Sequence, residues 1–264
     1  MKIAYIGIDL LYSALPALYN RGCNILKIFT CRTDNVTEFN TEITEFAQLH
    51  DIPLTMKRIT SEDLRELKEC GCELIISAGY YYMIPVDTQI RMINIHPTML
   101  PVGRGAWPMP RLILDGYTQG GVTFHKIIKE ADAGDIILQR SFDIDLNENH
   151  MTYMKKVHFL LDDMVDELLS NIDELYSNAL AQEEGIYFDN MVQEDYTVDS
   201  SMTVREADVI LRAFYGYECI YKSQGAVYEL IEAYSAYDLP VINCISFKLK
   251  DGYIIANTAR EIYV

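Results

Sequence analysis

Arg91-Met-Ile-Asn94-Ile-His96-Pro97-Thr98-Met-Leu-Pro101-Val-Gly103-Arg104-Gly105-Ala-Trp107-Pro108 is the stretch from which the rest of the chain is read. Its first half is a short apolar run broken by two polar residues, Asn94 and His96, at alternate positions. Side chains alternate across a strand, so an amide and an imidazole emerge together on one face. Pro97, Pro101 and Gly103 then end the run. Polar groups at a strand end mark the place where open α/β sheets hold their ligands. Further on, Glu130-Ala131-Asp132-Ala-Gly134-Asp135 predicts a tight turn opening a strand over 136–142, which brings the Asp132 carboxylate back towards the first two groups.

Outward from this stretch the chain alternates strands and helices. Residues 2–8 form a short apolar run, 10–20 a helical segment and 24–30 a second strand, a β-α-β opening. The turn Gly7-Ile-Asp9-Leu-Leu-Tyr12 lacks the Gly-x-Gly-x-x-Gly pattern that lets a backbone approach a pyrophosphate, so a nicotinamide cofactor is not expected. A helix over 42–50 and a strand over 53–57 follow, and Ser61 opens the next helix with a cap and acidic first-turn residues. The strand over 74–78 is apolar except for Ser77, as suits a sheet covered on both faces. The fold class expected is therefore α/β, a Rossmann-like and largely parallel sheet with helices on both faces. Beyond the central stretch, a helix is predicted over 108–115, strands over 122–128 and 136–142, and a long helix over 151–180. Met154, Val157, Leu161, Met164, Val165, Leu168 and Leu169 give that last segment its helical spacing.

These patterns suggest a main domain over 1–180, an acidic, turn-rich linker over 181–202, and a small β-rich C-terminal subdomain over 203–264. The subdomain begins with a helix to about 214 and continues with strands over 226–234, 241–249 and 253–255, with Lys250-Asp-Gly252 as a hairpin turn.

Composition narrows the class further. With 264 residues, half of them hydrophobic, the chain is long enough to bury a full core. No apolar run approaches the roughly 20 residues of a spanning helix, and the N-terminus enters a strand without a signal-peptide pattern. A cytoplasmic protein without membrane contact is expected. The cysteines at 23, 31, 70, 72, 219 and 244 have neither zinc-finger nor redox spacing, so no metal site is assigned and they read as buried or idle thiols. The balance of 22 basic against 39 acidic residues, a net charge of −17, repels a polyanion, so RNA is not expected as a substrate.

Asn94-Ile-His96-Pro97-Thr98-Met-Leu-Pro101, Arg104-Gly105, Gly121-Val122-Thr123 and Asp132-Ala-Gly134 follow one another in the order and at the distances seen in the folate-dependent formyltransferases, and the chain resembles that family. The resemblance covers roughly residues 1–145, and Thr98 stands where the family usually has Ser. It implies an enzyme with N10-formyltetrahydrofolate as co-substrate, and a homodimer. By position it also implies that Tyr82, Met83 and Ile84 line the pterin pocket, with Glu130, Ala131 and Gly134 on the folate side of the site. Three consecutive tyrosines, Tyr80-Tyr81-Tyr82, read from the residues alone, are equally ordinary wedge residues at a sheet edge.

Formyl transfer to an amine needs a neutral nucleophile, a stabilised oxyanion and a proton moved between two nitrogens. An imidazole titrates near neutrality, an amide N–H donates to an oxyanion, and a carboxylate holds an imidazole's tautomer and favours its cation. His96 is thus assigned as base or proton shuttle, Asn94 as oxyanion donor and Asp132 as the carboxylate that orients His96. Which of His96 and Asp132 takes the first proton stays open. Thr98 is read as buttressing the loop. Substrate contacts are assigned to Asp9, Arg104, Trp107 and Tyr221; Arg104 reads equally as a surface cation, or as orienting an anionic substrate or the active-site loop, and Trp107 and Tyr221 read as core. His50, His125, His150 and His158 read as packed or surface histidines. Among the acceptors that the resemblance implies, the acidic composition disfavours tRNA, as does the segment Cys31-Arg-Thr-Asp-Asn-Val-Thr37, where the tRNA formyltransferases of that family carry a long basic loop; the acceptor expected from the resemblance is a nucleotide-diphosphate amino sugar, dTDP- or UDP-linked. Methionyl-tRNA formyl transfer, and a folate- or nucleotide-sugar-binding protein without turnover, are the alternatives.

Overall fold

The alternating apolar runs of the first half become one sheet in a computed structural model, which describes residues 1–223, 225–240 and 244–262. The chain divides into two compact units.

The first unit comprises Met1–Ala106, Gln119–Phe142 and Lys156–Phe188. Its strands are β1 (Lys2–Gly7), β2 (Asn24–Phe29), β3 (Leu54–Thr55), β4 (Leu74–Ala78), β5 (Arg91–His96), β6 (Val102–Arg104), β7 (Gln119–Lys126), β8 (Ile136–Asp143) and β9 (Ile186–Tyr187). Seven of them form a sheet in the order β3-β2-β1-β4-β5-β7-β8. The pairs from β3 through β5 are parallel, and β5 meets β7 antiparallel. All of β4 is buried, as its unbroken apolar run predicts. On one side, Ala4, Ile6, Phe29, Ile75 and Met92 pack with Leu64 and Leu67 of a helix at Ser61–Glu69. The expected helix over 10–20 is a 3-10 turn at Asp9–Leu11 followed by a helix at Ala14–Asn20. Pro16 accounts for the break, because its ring clashes with the carbonyl four residues back, at Tyr12. The Ser61–Glu69 helix is capped by Thr60, one residue before the expected Ser61. The Thr60 hydroxyl accepts from the Asp63 N–H, and Asp63 accepts from the Thr60 N–H. The long helix expected over 151–180 is two helices, His150–Ser170 and Ile172–Ser177. Part of the stretch read as a linker is structured here, since β9 pairs in parallel with β6.

The second unit comprises Trp107–Thr118, Asp143–Lys155 and the chain from Asp189 on. Its strands are β10 (Thr197–Asp199), β11 (Cys219–Ser223), β12 (Ala226–Ala236), β13 (Ile245–Lys248) and β14 (Tyr253–Ile262), in the order β10-β11-β12-β14-β13. A helix at Val204–Ala213, capped reciprocally by Thr203 and Glu206, lays Ala207 and Leu211 against Cys219, Tyr221, Leu230 and Ile254. The strand expected over 241–249 is seen as Ile245–Lys248, and 241–243 lie outside the described residues. The strand expected over 253–255 runs on to Ile262, paired along its length with β12. Among the described residues, no helix is long and apolar enough to cross a membrane.

Candidate active site

Strand β5 presents Asn94 and His96 on one face, and β7 sets Thr123 and His125 opposite them, with Asn94 facing His125 and His96 facing Thr123. Cross-strand neighbours on one face stand close enough to bond. Asp132 arrives on the turn after β7, in a left-handed conformation (φ 51°). Its Oδ1 lies 3.7 Å from His96 Nδ1, 3.5 Å from His125 Nε2 and 3.3 Å from Asn94 Nδ2. Its Oδ2 accepts the Gly105 N–H at 2.9 Å. Gly105 has φ 104° and a Cβ there would touch the Phe188 carbonyl, so only glycine brings this N–H to the carboxylate.

Backbone partners settle the ring protons. A carbonyl only accepts, so His96 donates Nε2–H to the Gly103 oxygen (2.7 Å) and His125 donates Nδ1–H to the Lys126 oxygen (2.9 Å). In their neutral forms both imidazoles therefore turn a bare nitrogen, His96 Nδ1 and His125 Nε2, towards Asp132 Oδ1. The carboxylate also decides the Asn94 amide, because only its NH2 is attractive to Oδ1. Burial is the larger influence on His96 and holds its imidazole below the ordinary histidine value against the pull of Asp132. Burial alone raises Asp132, but the attraction of its anion to the cationic forms of His96 and His125, with the Gly105 N–H, outweighs it and holds the carboxyl well below the usual range. The site at neutral pH is a neutral His96 beside an ionised Asp132. This corrects the expected electrostatics: Gly103, not Asp132, sets the His96 tautomer, and the net shift opposes the cation.

Two loops carry these groups, and one side chain clasps them. Gln182 Oε1 accepts from Arg104 Nε (3.0 Å) and Nη2 (2.8 Å), while its Nε2 donates to the backbone oxygens of Asp132 (2.9 Å) and Gly134 (2.7 Å). Arg104 also donates to the Glu183 oxygen and lies over the Tyr187 ring. The Tyr187 hydroxyl bonds Glu130 Oε1 (2.8 Å) and the Ala131 oxygen (3.0 Å). A Cβ at Gly134 would collide with the Lys126 carbonyl, so the turn closes this tightly only on glycine. Thr98 Oγ1 donates to the Val102 oxygen at 2.9 Å and braces the loop.

The structure brings Asn94, His96 and Asp132 together. Tyr82 and Met83 are exposed, and Ile84 is buried against the β4 side of the core. Arg58 lies over the Tyr82 ring, 5.4 Å from its centre. The four residues expected to contact the substrate have protein partners for their side chains. The Asp9 carboxylate accepts the N–H groups of Glu42 (2.9 Å) and Ile43 (3.0 Å) and caps the helix at Thr41–Leu49. Arg104 is the buried partner of Gln182. Trp107 packs on Phe214 and Tyr217 within the second unit. Tyr221 is buried in that unit's core and donates to the Lys248 oxygen. Two participants escaped the sequence reading. His125 was signalled by the Thr123-x-His125 alternation, a second polar pair on one strand face like Asn94-x-His96. Gln182, in a polar stretch without periodicity, gave no signal.

Residues 42–169 match the family model described as Formyl transferase. The chain carries a domain of the formyl transferase family. A protein named methionyl-tRNA formyltransferase from Ehrlichia ruminantium is 34% identical over 183 residues, 66% of this chain and 59% of that protein. One of the same name from Staphylococcus epidermidis is 26% identical over 226 residues, 83% of this chain and 71% of that protein. The chain thus spans 59% of the length of the first relative. Among solved structures, a HypX variant from Aquifex aeolicus superposes with a TM-score of 0.76 at 18% identity, covering 98% of this chain and 46% of that one. A methionyl-tRNA formyltransferase from Clostridium thermocellum superposes at 0.66 and 19% identity, covering 99% of each. At these identities the two structures show the shared fold. The names of the sequence relatives overturn the nucleotide-sugar reading, and with it the expectation that no nucleic acid is involved. Net charge alone does not exclude a nucleic-acid acceptor, because it sums the whole surface, whereas phosphates are met by local groups.

Proposed function

We propose that the protein is an N-formyltransferase that moves the formyl group of N10-formyltetrahydrofolate to the amine of methionyl-tRNA. The observation that carries this reading is the convergence of His96 Nδ1 (3.7 Å) and Asn94 Nδ2 (3.3 Å) on Asp132 Oδ1 at the strand end that bears the Asn94-x-His96-Pro97 motif. Chemically, a neutral buried imidazole with its lone pair on Nδ1 takes the proton that the attacking amine must lose, and the ionised Asp132 stabilises the imidazolium formed. The Asn94 amide donates to the oxygen of the formyl group as it becomes an oxyanion, a contribution of about 2.7–4 kcal/mol for donors of this kind. For the folate, the exposed Tyr82 and Met83 offer an apolar wall suited to a flat ring, and the 130–134 turn offers backbone groups beside it. The acceptor rests on the relatives named above.

The test incubates the purified protein with formyl-labelled N10-formyltetrahydrofolate and charged initiator methionyl-tRNA. Label is expected in formylmethionine after deacylation of the tRNA, and His96→Asn is expected to abolish it. Transfer that persists in His96→Asn overturns the roles, and absence of label from the tRNA overturns the acceptor.

A further inference from the structure

We infer that His125 is a positioning residue that gates the Asn94 amide: neutral, it holds one Asn94 N–H; protonated, it donates to Asp132 and releases that N–H to the oxyanion. The inference rests on the formyl-transfer reading and adds to it a residue and a sequence of events.

Asn94 Nδ2 carries two hydrogens, and both have acceptors at rest, Asp132 Oδ1 at 3.3 Å and His125 Nε2 at 3.1 Å. An amide so engaged has no hydrogen left for a third acceptor. One bond must therefore be given up as charge develops, and the surroundings decide which. Asp132 is held ionised and keeps its claim. His125 is different, because its Nδ1–H is fixed on the Lys126 oxygen, so any proton it gains goes to Nε2. A protonated Nε2 no longer accepts from Asn94. It finds Asp132 Oδ1 3.5 Å away and donates there, without the ring leaving its place.

The reaction itself supplies the proton. As the amine attacks, one of its N–H bonds breaks, the bonding pair stays on nitrogen, and the proton enters an array of three lone pairs on His96 Nδ1, Asp132 Oδ1 and His125 Nε2. Asp132 Oδ1 lies within 3.7 Å of both imidazoles and passes the proton between them. Its later transfer to the leaving nitrogen restores the array and returns the Asn94 N–H to His125. The titratable groups facing His125 are Asp132 from the turn and His96 from β5, whose rings are 6.3 Å apart; the neighbouring Lys126 directs its ammonium to Asp135.

Two measurements on the whole protein test this. Ring 15N spectra are expected to show the neutral His125 ring carrying its proton on Nδ1 and bare at Nε2, with the Asn94 side-chain amide signals moving when Nε2 gains a proton. An Nε2–H tautomer, or amide signals indifferent to that added proton, overturns the gate, and this outcome is independent of any activity. In formyl-transfer kinetics, His125→Gln keeps an acceptor for Asn94 but cannot titrate. Its kcat is expected to fall between about tenfold and a hundredfold, short of losing an oxyanion donor outright, with KM within twofold and the pH profile changed. His125→Phe leaves the Asn94 N–H free and is expected to recover part of that loss. A His125→Gln enzyme with wild-type kcat and pH profile overturns the gate; a wild type that moves no formyl group while the spectra behave as stated removes only the formyl-transfer reading.

Discussion

Replacing Gln182 by Ala removes four hydrogen bonds at once, two accepted from a buried arginine and two donated to the carbonyls of Asp132 and Gly134. A charge-assisted bond is worth about 1.5–3 kcal/mol and a neutral one about 1 kcal/mol, and water reaching a half-buried Gln182 site restores part of each. The expected destabilisation is about 2–4 kcal/mol, concentrated where the 102–105 and 130–134 loops meet. Arg104 keeps the Glu183 oxygen and the Tyr187 ring, so the sheet stays folded. Asp132 loses the brace on its own carbonyl, in a left-handed conformation that aspartate tolerates but does not prefer. With its carboxylate displaced from His96, the expected loss in kcat is about ten- to a hundredfold, and amide hydrogen exchange over 131–135 is expected to accelerate. Gln182→Glu separates the two ends of the clasp. It strengthens the contact to Arg104 but sets an anion against two carbonyl oxygens, so its activity is expected to fall as far as that of Gln182→Ala although its melting temperature falls less. A Gln182→Ala enzyme with kcat within twofold of wild type and unchanged exchange at 131–135 refutes the clasp.

Two further outcomes follow from side chains outside the site. Asp9→Ala uncaps the helix at Thr41–Leu49 and is expected to cost about 1 kcal/mol in urea unfolding, with the KM of the acceptor unchanged; a rise in that KM without loss of stability restores Asp9 to the binding site. His150 is buried against Tyr217, and burial pulls its pKa down to about 3. The unfolded chain then binds more protons than the folded one below about pH 6.5, so the stability from keeping this ring neutral is whole above that pH and drains away as pH falls towards 3. At about 1.4 kcal/mol per unit, the loss is about 3 kcal/mol by pH 4. His150→Phe is expected to flatten this slope in unfolding measured at pH 7 and pH 4, and parallel losses in both proteins dismiss His150 as the cause.

Local spacing shows where a side chain points, and that much of the site was readable. The alternation of Asn94 and His96, the proline break and the glycine turn around Asp132 are each consequences of a few neighbouring residues, and the fully apolar β4 announces a two-sided sheet in the same way. A partner across space is another matter. His125 joins the site only because β5 and β7 pair in the register that sets it against Asn94, and Asp9 caps a helix whose first turn lies far along the chain. The second unit is assembled from three separated segments, and nothing in the composition of 107–118 or 143–155 marks them as belonging with the chain from Asp189 on.

The sign of the His96 shift shows the same limit in energetic form. Seen in sequence, an aspartate brought to a histidine favours the cation, because the attraction is evident from the two residue types alone. Desolvation opposes it and grows with burial, a quantity that belongs to the packed sheet and not to any short stretch of it. Here His96 sits at the covered end of β5 with its Nε2–H given to the Gly103 oxygen, and burial wins. The difference has a chemical consequence: an imidazolium at rest has no lone pair for the attacking amine, whereas the neutral ring keeps Nδ1 bare and ready to take its proton.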